Sequence, residues 1–168
     1  NAILITGVAG FLGRALARHF FELGWEVSGV DIVSQENSPA SFLRNYLAAS
    51  LPDSQFVQLL KATSPMVCVH CAGRASVGSS IIHPMDDYKQ GPALTYYVLD
   101  RLRETVPNCK FVFLSSAAVY GNPQSLPIAE DFLPAPISPY GFNKWQSEII
   151  CREFSQVYEV KTASARVF

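Results

Sequence analysis

Side chains suited to proton transfer at a hydroxyl group lie in the second half of the chain. Tyr140 and Lys144 are four residues apart, so they share one face of a helix if residues 140–158 are helical. Ser115 and Ser116 end an apolar run that is typical of a strand. A tyrosine with a pKa near 10 is a poor base at neutral pH, and a nearby ammonium favours its ionised form. The spacing therefore places a phenol and an ammonium side by side, although such a pair alone is usually part of a solvated surface.

Three glycines near the start of the chain have the spacing of a phosphate-binding turn. Gly7, Gly10 and Gly13 lie where a predicted strand meets a predicted helix. Glycine there permits a tight turn and a close approach of the backbone to a pyrophosphate. The free amides and the partial positive charge of the helix N-terminus attract phosphates. A glycine triplet also occurs in ordinary tight turns, and its place between strand and helix favours the binding function.

Asp31 is predicted to end the second strand, about 20 residues after the glycine turn. At that position a carboxylate can accept hydrogen bonds from the adenosine ribose hydroxyls and repels a 2′-phosphate. The residues that follow it, Ile32, Val33 and Ser34, include no arginine, so NAD is favoured over NADP. The alternative is a solvated aspartate at a strand end.

Strand-like and helix-like patterns alternate along the chain, which predicts an α/β fold with a doubly wound parallel sheet of the Rossmann type. The first helix has an apolar stripe of Leu12, Leu16, Phe20 and Leu23. Residues 121–139 are expected to form a proline-rich loop. Strands are predicted at about 2–6, 26–31, 46–49, 66–71, 110–115 and 160–168, and helices at about 12–23, from 52–53 onward, at 85–106 and at 140–158.

The composition excludes several classes of function. The chain has 168 residues, 49% hydrophobic residues and a net charge of −1, which is typical of one globular domain. No block of like charges indicates binding to nucleic acid or a membrane surface, and no signal peptide or membrane span is predicted. Cys68 and Cys71 lie three apart in a predicted strand and so point to opposite faces, which predicts no metal site. The few scattered cysteines favour a cytoplasmic location.

Five segments together resemble the extended short-chain dehydrogenase/reductase family, the NAD-dependent epimerases and dehydratases of nucleotide sugars. They are the glycine turn, Asp31, residues 70–73 (His-Cys-Ala-Gly), residues 115–121 (Ser-Ser-Ala-Ala-Val-Tyr-Gly) and residues 138–144 (Ser-Pro-Tyr-Gly-x-x-Lys). The matching segments extend over nearly the whole chain in the family's order.

The resemblance implies NAD as the cofactor and a nucleotide sugar as the substrate. It implies Tyr140 as the general base, Lys144 as its activating charge and a ligand of the nicotinamide ribose, and Ser116, in preference to Ser115, as the residue that binds the reacting oxygen. The implied cofactor-binding residues are Gly7, Gly10, Phe11, Leu12, Gly13, Asp31, Ser50, Leu51, Cys71, Ala72, Gly73, Ser115, Tyr140 and Lys144.

Ala117 and Ala118 occupy positions where sugar dehydratases and decarboxylases place an acid. This favours a simple oxidation and re-reduction, and the segment is most similar to UDP-glucose (UDP-galactose) 4-epimerases, as are residues 72–78. A reductase or dehydrogenase acting on another alcohol, and a non-catalytic dinucleotide-binding module, remain alternatives.

The chain departs from the family in several places. Ser50 replaces an aspartate that accepts the adenine amino group, and Arg74 or Ala75 replaces a lysine. Residues 91–95 (Gly-Pro-Ala-Leu-Thr) replace Asn-Val-x-Gly-Thr, so an asparagine is lost and Pro92 is expected to kink the helix. Residues 1–168 are expected to form the NAD-binding domain, without the family's substrate-binding portion. A homodimer through helix pairs that include Tyr96 and Tyr97 is also implied.

Overall fold

A computed structural model describes residues 1–123 and 125–168. Its six strands form one parallel sheet in the order β3-β2-β1-β4-β5-β6. This order confirms the predicted doubly wound Rossmann-type fold, in which ligands bind beyond the carboxyl ends of the strands where the strand order reverses. The strands are β1 (Ala2–Thr6), β2 (Glu26–Asp31), β3 (Asn45–Ala48), β4 (Val67–His70), β5 (Lys110–Ser116) and β6 (Thr162–Val167).

Helices cover both faces of the sheet, and each predicted helix is present. A six-residue helix, α3, was not predicted, because it is too short to show helical periodicity. Two further three-residue 3₁₀ turns occur at Gln35–Asn37 and Ala40–Phe42. The helices are α1 (Phe11–Glu22), α2 (Ser54–Thr63), α3 (Val77–Ile82), α4 (Pro84–Tyr88), α5 (Leu94–Thr105) and α6 (Pro139–Tyr158).

The core is divided by the sheet into two hydrophobic clusters. One packs α2, α5 and α6 against side chains such as Leu4, Cys68 and Phe111. The other packs α1 against the opposite face, where Ile3, Ile5 and Val69 are buried and Cys71 is partly buried. Cys68 and Cys71 therefore lie on opposite faces of the sheet, as the strand geometry predicted.

The predicted apolar stripe of α1 is only partly buried. Leu16 and Phe20 pack against the core, whereas Leu12 is 39% and Leu23 60% exposed. The side of α1 nearest the sheet is formed by Gly13 and Ala17. Small residues there let the helix approach the sheet closely, so the leucines at its two ends lie beyond the contact.

Pro92 interrupts the long predicted helix without ending it. Residues Lys89–Ala93 form a π-helical turn that joins α4 to α5. A proline cannot donate the i→i−4 hydrogen bond, and a widened turn accommodates the missing donor. The Thr95 hydroxyl donates to the Gly91 carbonyl oxygen at 2.9 Å and holds this turn closed.

The predicted proline-rich loop has no regular secondary structure where the structure describes it. In the predicted loop 121–139, Gln124 lies outside the described residues, and residues 121–123 and 125–138 contain neither helix nor strand.

Of the two tyrosines implied in a dimer interface, Tyr97 packs within the chain, where its hydroxyl donates to the Asp53 carbonyl at 2.9 Å, whereas Tyr96 is 41% exposed. None of the helices in the described part of the chain combines the length and apolar character needed to cross a membrane.

Candidate active site and dinucleotide cleft

The glycine turn brings the N-terminus of α1 directly against the end of β1. The Gly10 amide donates to the Gly7 carbonyl at 3.1 Å, and α1 begins at Phe11. A Cβ atom on Gly13 would lie 2.2 Å from the Gly7 carbonyl oxygen, so only glycine fits beneath the turn. No side chain of the described residues caps α1, which leaves the amides of its first turn available to an anion.

The Asp31 carboxylate lies beside this turn. Its Oδ2 accepts a hydrogen bond from the Ala9 amide at 2.9 Å, and its Oδ1 accepts from the Val33 amide at 3.3 Å. The Arg14 guanidinium donates to the Ala9 carbonyl at 2.7 Å and to the Asn37 carbonyl at 2.6 Å. The sequence neighbours of Asp31 include no arginine, and the first turn of α1 brings Arg14 to this edge of the sheet, where it is bound to the Ala9 and Asn37 carbonyls.

Most of the predicted cofactor-binding residues line a single cleft of about 990 Å³ at the carboxyl edge of the sheet. Phe11, at the start of α1, is 90% exposed, and Gly13 is buried beneath the turn. The predicted residues that line the cleft are Gly7, Gly10, Asp31, Ser50, Leu51, Cys71, Ala72 and Gly73.

A smaller and narrower cavity adjoins the cleft and is lined by Tyr140 and Lys144. The cleft and the cavity share Ala72, Gly73 and Gln90, so one groove leads from the glycine turn to the tyrosine–lysine pair. The structure thus brings together two groups of residues that are more than half the chain apart in sequence.

Lys144 is anchored in this cavity by the end of β5. Its Nζ donates to the Leu114 carbonyl at 2.7 Å and lies 4.8 Å from the centroid of the Phe113 ring and 5.8 Å from that of the Tyr140 ring. Burial lowers the pKa of Lys144 to about 8, while electrostatic interactions with Cys71 and Asp87 act in the opposite direction. The lysine is therefore poised to exchange its proton near neutral pH.

This lowered pKa predicts how Lys144 affects stability. Between pH 8 and its ordinary pKa of 10.5, the unfolded chain binds the proton that the folded chain has lost, so stability rises with pH. Relative to a Lys144→Met variant, the free energy of unfolding should rise by roughly 3 kcal/mol across this window. Urea unfolding of both proteins at pH 8 and at pH 10.5 measures the effect. An equal change in the free energy of unfolding of the two proteins between these pH values would contradict it.

Tyr140 is positioned through the backbone at the start of α6. Its amide donates to the Ser80 hydroxyl at 3.1 Å, and the Ser138 side chain caps the helix by accepting from the Gly141 amide at 3.1 Å. A Cβ atom on Gly141 would lie 2.6 Å from the Ala118 carbonyl oxygen. The glycine therefore lets α6 pack closely on the turn that follows β5.

The two serines at the end of β5 have different environments. Ser116 caps the 3₁₀ turn Ala117–Tyr120, where its Oγ accepts from the Ala118 amide at 3.2 Å. Ser115 is 4% exposed and donates to Glu148, which forms an ion pair with Arg166 at 2.8 Å. The Ser115 hydroxyl is thus bound to Glu148, and the contact of Ser115 with a cofactor stays a prediction.

His70 is a buried core residue. Its Nδ1 lies 2.6 Å from the Thr6 hydroxyl, and its ring stacks on Phe113 with centroids 6.0 Å apart. Burial lowers the pKa of His70 to about 3, and the Lys144 charge adds to this, so the ring is neutral at physiological pH. The Thr6 oxygen also accepts from the Ala72 amide at 3.3 Å, which ties this core contact to the cleft.

Sequence reasoning missed several polar residues around the site. Ser80 lies on the unpredicted helix α3, and Arg14 lies in the first turn of α1, directly after the third glycine. Asp87 and Asn143 form a hydrogen bond in the wall of the smaller cavity. The position of Asn143 next to Lys144 was a signal for it in the sequence. Its partner Asp87 lies on another helix, so no local spacing pointed to Asp87.

Comparison with known proteins gives consistent matches. The model of the NAD-dependent epimerase/dehydratase family matches residues 3–168. A UDP-glucose 4-epimerase of Bacillus subtilis is 33% identical over 163 residues, which cover 90% of this chain and 47% of the relative. A UDP-glucose 4-epimerase of Haemophilus influenzae is 32% identical over 164 residues, which cover 90% of this chain and 48% of that protein.

Solved structures show the same architecture. The UDP-glucose 4-epimerase of Brucella ovis in complex with NAD superimposes with a TM-score of 0.91 and 29% identity, covering 100% of this chain and 52% of that structure. The UDP-Glc/GlcNAc 4-epimerase of Campylobacter jejuni superimposes with a TM-score of 0.90 and 31% identity, covering 100% of this chain and 53% of that structure. The chain thus spans about half the length of the relatives that it matches.

Proposed function

The chain belongs to the NAD-dependent epimerase/dehydratase family, and on that premise we propose that residues 1–168 bind NAD and supply the catalytic residues of a nucleotide-sugar epimerase. The observation that supports this most directly is the continuous groove from the glycine turn to Tyr140 and Lys144. A dinucleotide that places its pyrophosphate at the turn has its other end at the tyrosine–lysine pair.

The residues present fit NAD. The glycines let the turn pack against Ala72 and directly on the start of α1, and the free amides of α1 would bind the pyrophosphate. The Asp31 carboxylate, already oriented by the Ala9 amide, would accept hydrogen bonds from the adenosine ribose. Ser50 lies in the same cleft, where its hydroxyl would bind the adenine.

The catalytic step depends on proton transfer at Tyr140. When bound, NAD would supply reversible hydride transfer with the sugar carbon. Tyr140, as a phenolate stabilised by the Lys144 ammonium, takes the proton of the sugar hydroxyl as the ketone forms and returns it when the ketone is reduced. Ser116 binds the reacting oxygen. Because Ala117 and Ala118 can neither give nor take a proton, this segment offers no acid for a dehydration.

The relatives support a UDP-sugar as the substrate. Most of them are UDP-glucose 4-epimerases at 28–33% identity, and the two relatives with solved structures described above are epimerases of UDP-sugars as well. We propose a UDP-sugar whose hydroxyl carbon is inverted by oxidation and reduction. The portion of those relatives that this chain does not match corresponds to about half of their length.

The decisive assay uses the complete gene product with UDP-glucose and UDP-galactose and no added cofactor. Interconversion without net formation of NADH is the expected result. Net NADH formation would instead support a dehydrogenase, and NAD binding without turnover of any nucleotide sugar would support a non-catalytic module. Mass spectrometry of the purified protein shows whether NAD is carried with it.

Asp31 provides a test of the cofactor site that is independent of turnover. An Asp31→Asn variant should bind NAD about tenfold more weakly and discriminate less against NADP, because a charged acceptor and its repulsion of a 2′-phosphate are both removed. Calorimetry with NAD and NADP on this variant, and on an Asp131→Asn control in the exposed loop, measures both effects. Equal affinities of all three proteins for NAD would place the ribose elsewhere.

A further inference from the structure

A buried carboxylate–amide pair lies beside the tyrosine–lysine pair and has no part in the function proposed above. The Asn143 side-chain amide donates to Asp87 Oδ2 at 2.7 Å. Asp87 is 4% exposed and Asn143 8% exposed, and the bond joins α4 to α6. Both residues line the cavity that contains Tyr140 and Lys144.

A buried carboxylate is costly unless an opposite charge lies close to it. An amide supplies one hydrogen bond and no compensating charge, so the Asn143 contact alone does not account for the burial of Asp87. The cationic side chains among the described residues of the cavity wall are Lys144 and Arg74, and Asp87 opposes the lowering of the Lys144 pKa by burial. The amide thus fixes the carboxylate in the cavity that the lysine amine occupies.

The π-helical turn packs against this pair. A Cβ atom on Gly91 would lie 3.5 Å from the Cβ atom of Asn143, so the two helices meet here with a glycine facing the asparagine. The amide at this point of the cavity comes from α6, and it is directed at Asp87.

We propose that Asp87, held by the Asn143 amide, is a positioning residue for the Tyr140–Lys144 pair, in which its carboxylate serves as the fixed counter-charge of the lysine ammonium. The inference rests on the proposed function, because it assigns Asp87 a role in activating the tyrosine base. Asp87 acts through Lys144 and is not proposed to contact the substrate.

The other ionisable groups around the buried lysine amine do not supply this charge. The pKa of the Cys71 thiol, at the end of β4, is raised to about 12 by burial, so the thiol is neutral at physiological pH. His70 on β4 is neutral as well, and Arg74, after β4, is a cation. Tyr140 is the group to be activated. Among the described residues of the cavity wall, Asp87 is the one carboxylate.

The direct test is the titration of Lys144 in this chain without cofactor, followed by NMR of ¹³C-labelled lysine and assigned with Lys144→Met. In Asp87→Asn, which is isosteric and can still accept from Asn143, the midpoint should fall by about one pH unit. Asp86→Asn makes the same change on the exposed side of α4 and should leave the midpoint unchanged. An unchanged midpoint in Asp87→Asn would overturn the proposal.

A second variant separates the tether from the charge. Asn143→Ala keeps the carboxylate but releases it, so the midpoint should fall by less than in Asp87→Asn. A shift larger than that in Asp87→Asn would mean that the amide, and not the charge, governs Lys144, and would refute the assignment. Thermal unfolding of each variant verifies that it is folded under the conditions of the titration.

Kinetics of the complete gene product then separate the role of Asp87 from the proposed epimerase function. In Asp87→Asn, kcat at neutral pH should fall about tenfold and the rising limb of its pH profile should move to higher pH, with KM little changed. An unmoved profile in an active enzyme would overturn the role of Asp87 alone. Failure of the unmodified protein to epimerise any UDP-sugar, with the NMR shift present, would overturn the proposed function and the catalytic role, and leave the Asp87–Lys144 coupling standing.

Discussion

Replacement of Tyr140 by phenylalanine is expected to lower turnover by roughly 10²- to 10⁴-fold in the complete gene product, the range that a positioned general base contributes. The change removes one hydroxyl group and leaves the backbone of α6 in place, because Tyr140 is held by its amide through Ser80 and not by its side chain. The loss should therefore appear in kcat, since the base acts in the transition state more than in binding.

The affinity for NAD provides the control for this prediction. Calorimetry should give the same dissociation constant for Tyr140→Phe and for the unmodified chain within about twofold, because the phosphate-binding turn and Asp31 are untouched. Tyr158→Phe removes a hydroxyl from the exposed end of the same helix and should retain full turnover. Retained turnover in Tyr140→Phe would refute Tyr140 as the base.

A Gly13→Ala variant should lose NAD binding and much of its stability. The added Cβ atom would lie 2.2 Å from the Gly7 carbonyl oxygen and 2.7 Å from the Val8 Cα, and both are backbone atoms that cannot rotate away. Relief of the overlap requires α1 to move off the turn, at a cost of about 1–3 kcal/mol or more. The same movement would displace the amides that are proposed to bind the pyrophosphate.

Gly78 provides a matched control for this substitution. It lies within α3, and a Cβ atom built on it meets no atom within 4 Å. Gly78→Ala should therefore stabilise the chain by about 0.5–1 kcal/mol, since alanine favours a helix over glycine. Urea unfolding of the two variants should give effects of opposite sign. NAD binding by Gly13→Ala at the affinity of the unmodified chain would contradict the role of the turn.

Much of the fold was predictable from local patterns. The order of apolar strands and periodic helices predicted the parallel sheet, and the glycine turn marked where the first strand meets the first helix. Pro92 illustrates the limit of this reasoning, because a proline predicts a disturbed helix but not its form. The π-helical turn depends on the packing of α5 against α6, and the short helix α3 carries too few residues for its periodicity to be recognised.

The sequence by itself determined the features that depend on neighbours along the chain. The turn around Gly10, the position of Asp31 at a strand end and the shared helix face of Tyr140 and Lys144 all follow from fixed local geometry. Spacing of this kind identifies which residue types can cooperate in a reaction. It carries no information about how deeply they are buried.

The tertiary structure alone decided the environment of those residues. In the folded chain, the buried Lys144 amine donates to the Leu114 carbonyl and the Ser115 hydroxyl donates to Glu148. The Asn143 amide on α6 donates to Asp87 on α4. Such pairs join elements that are far apart in sequence, and the order of strands and the packing of helices determine which of them meet. Because burial and neighbouring charge determine a pKa, the chemical state of the candidate site depends on the fold and not on any single motif.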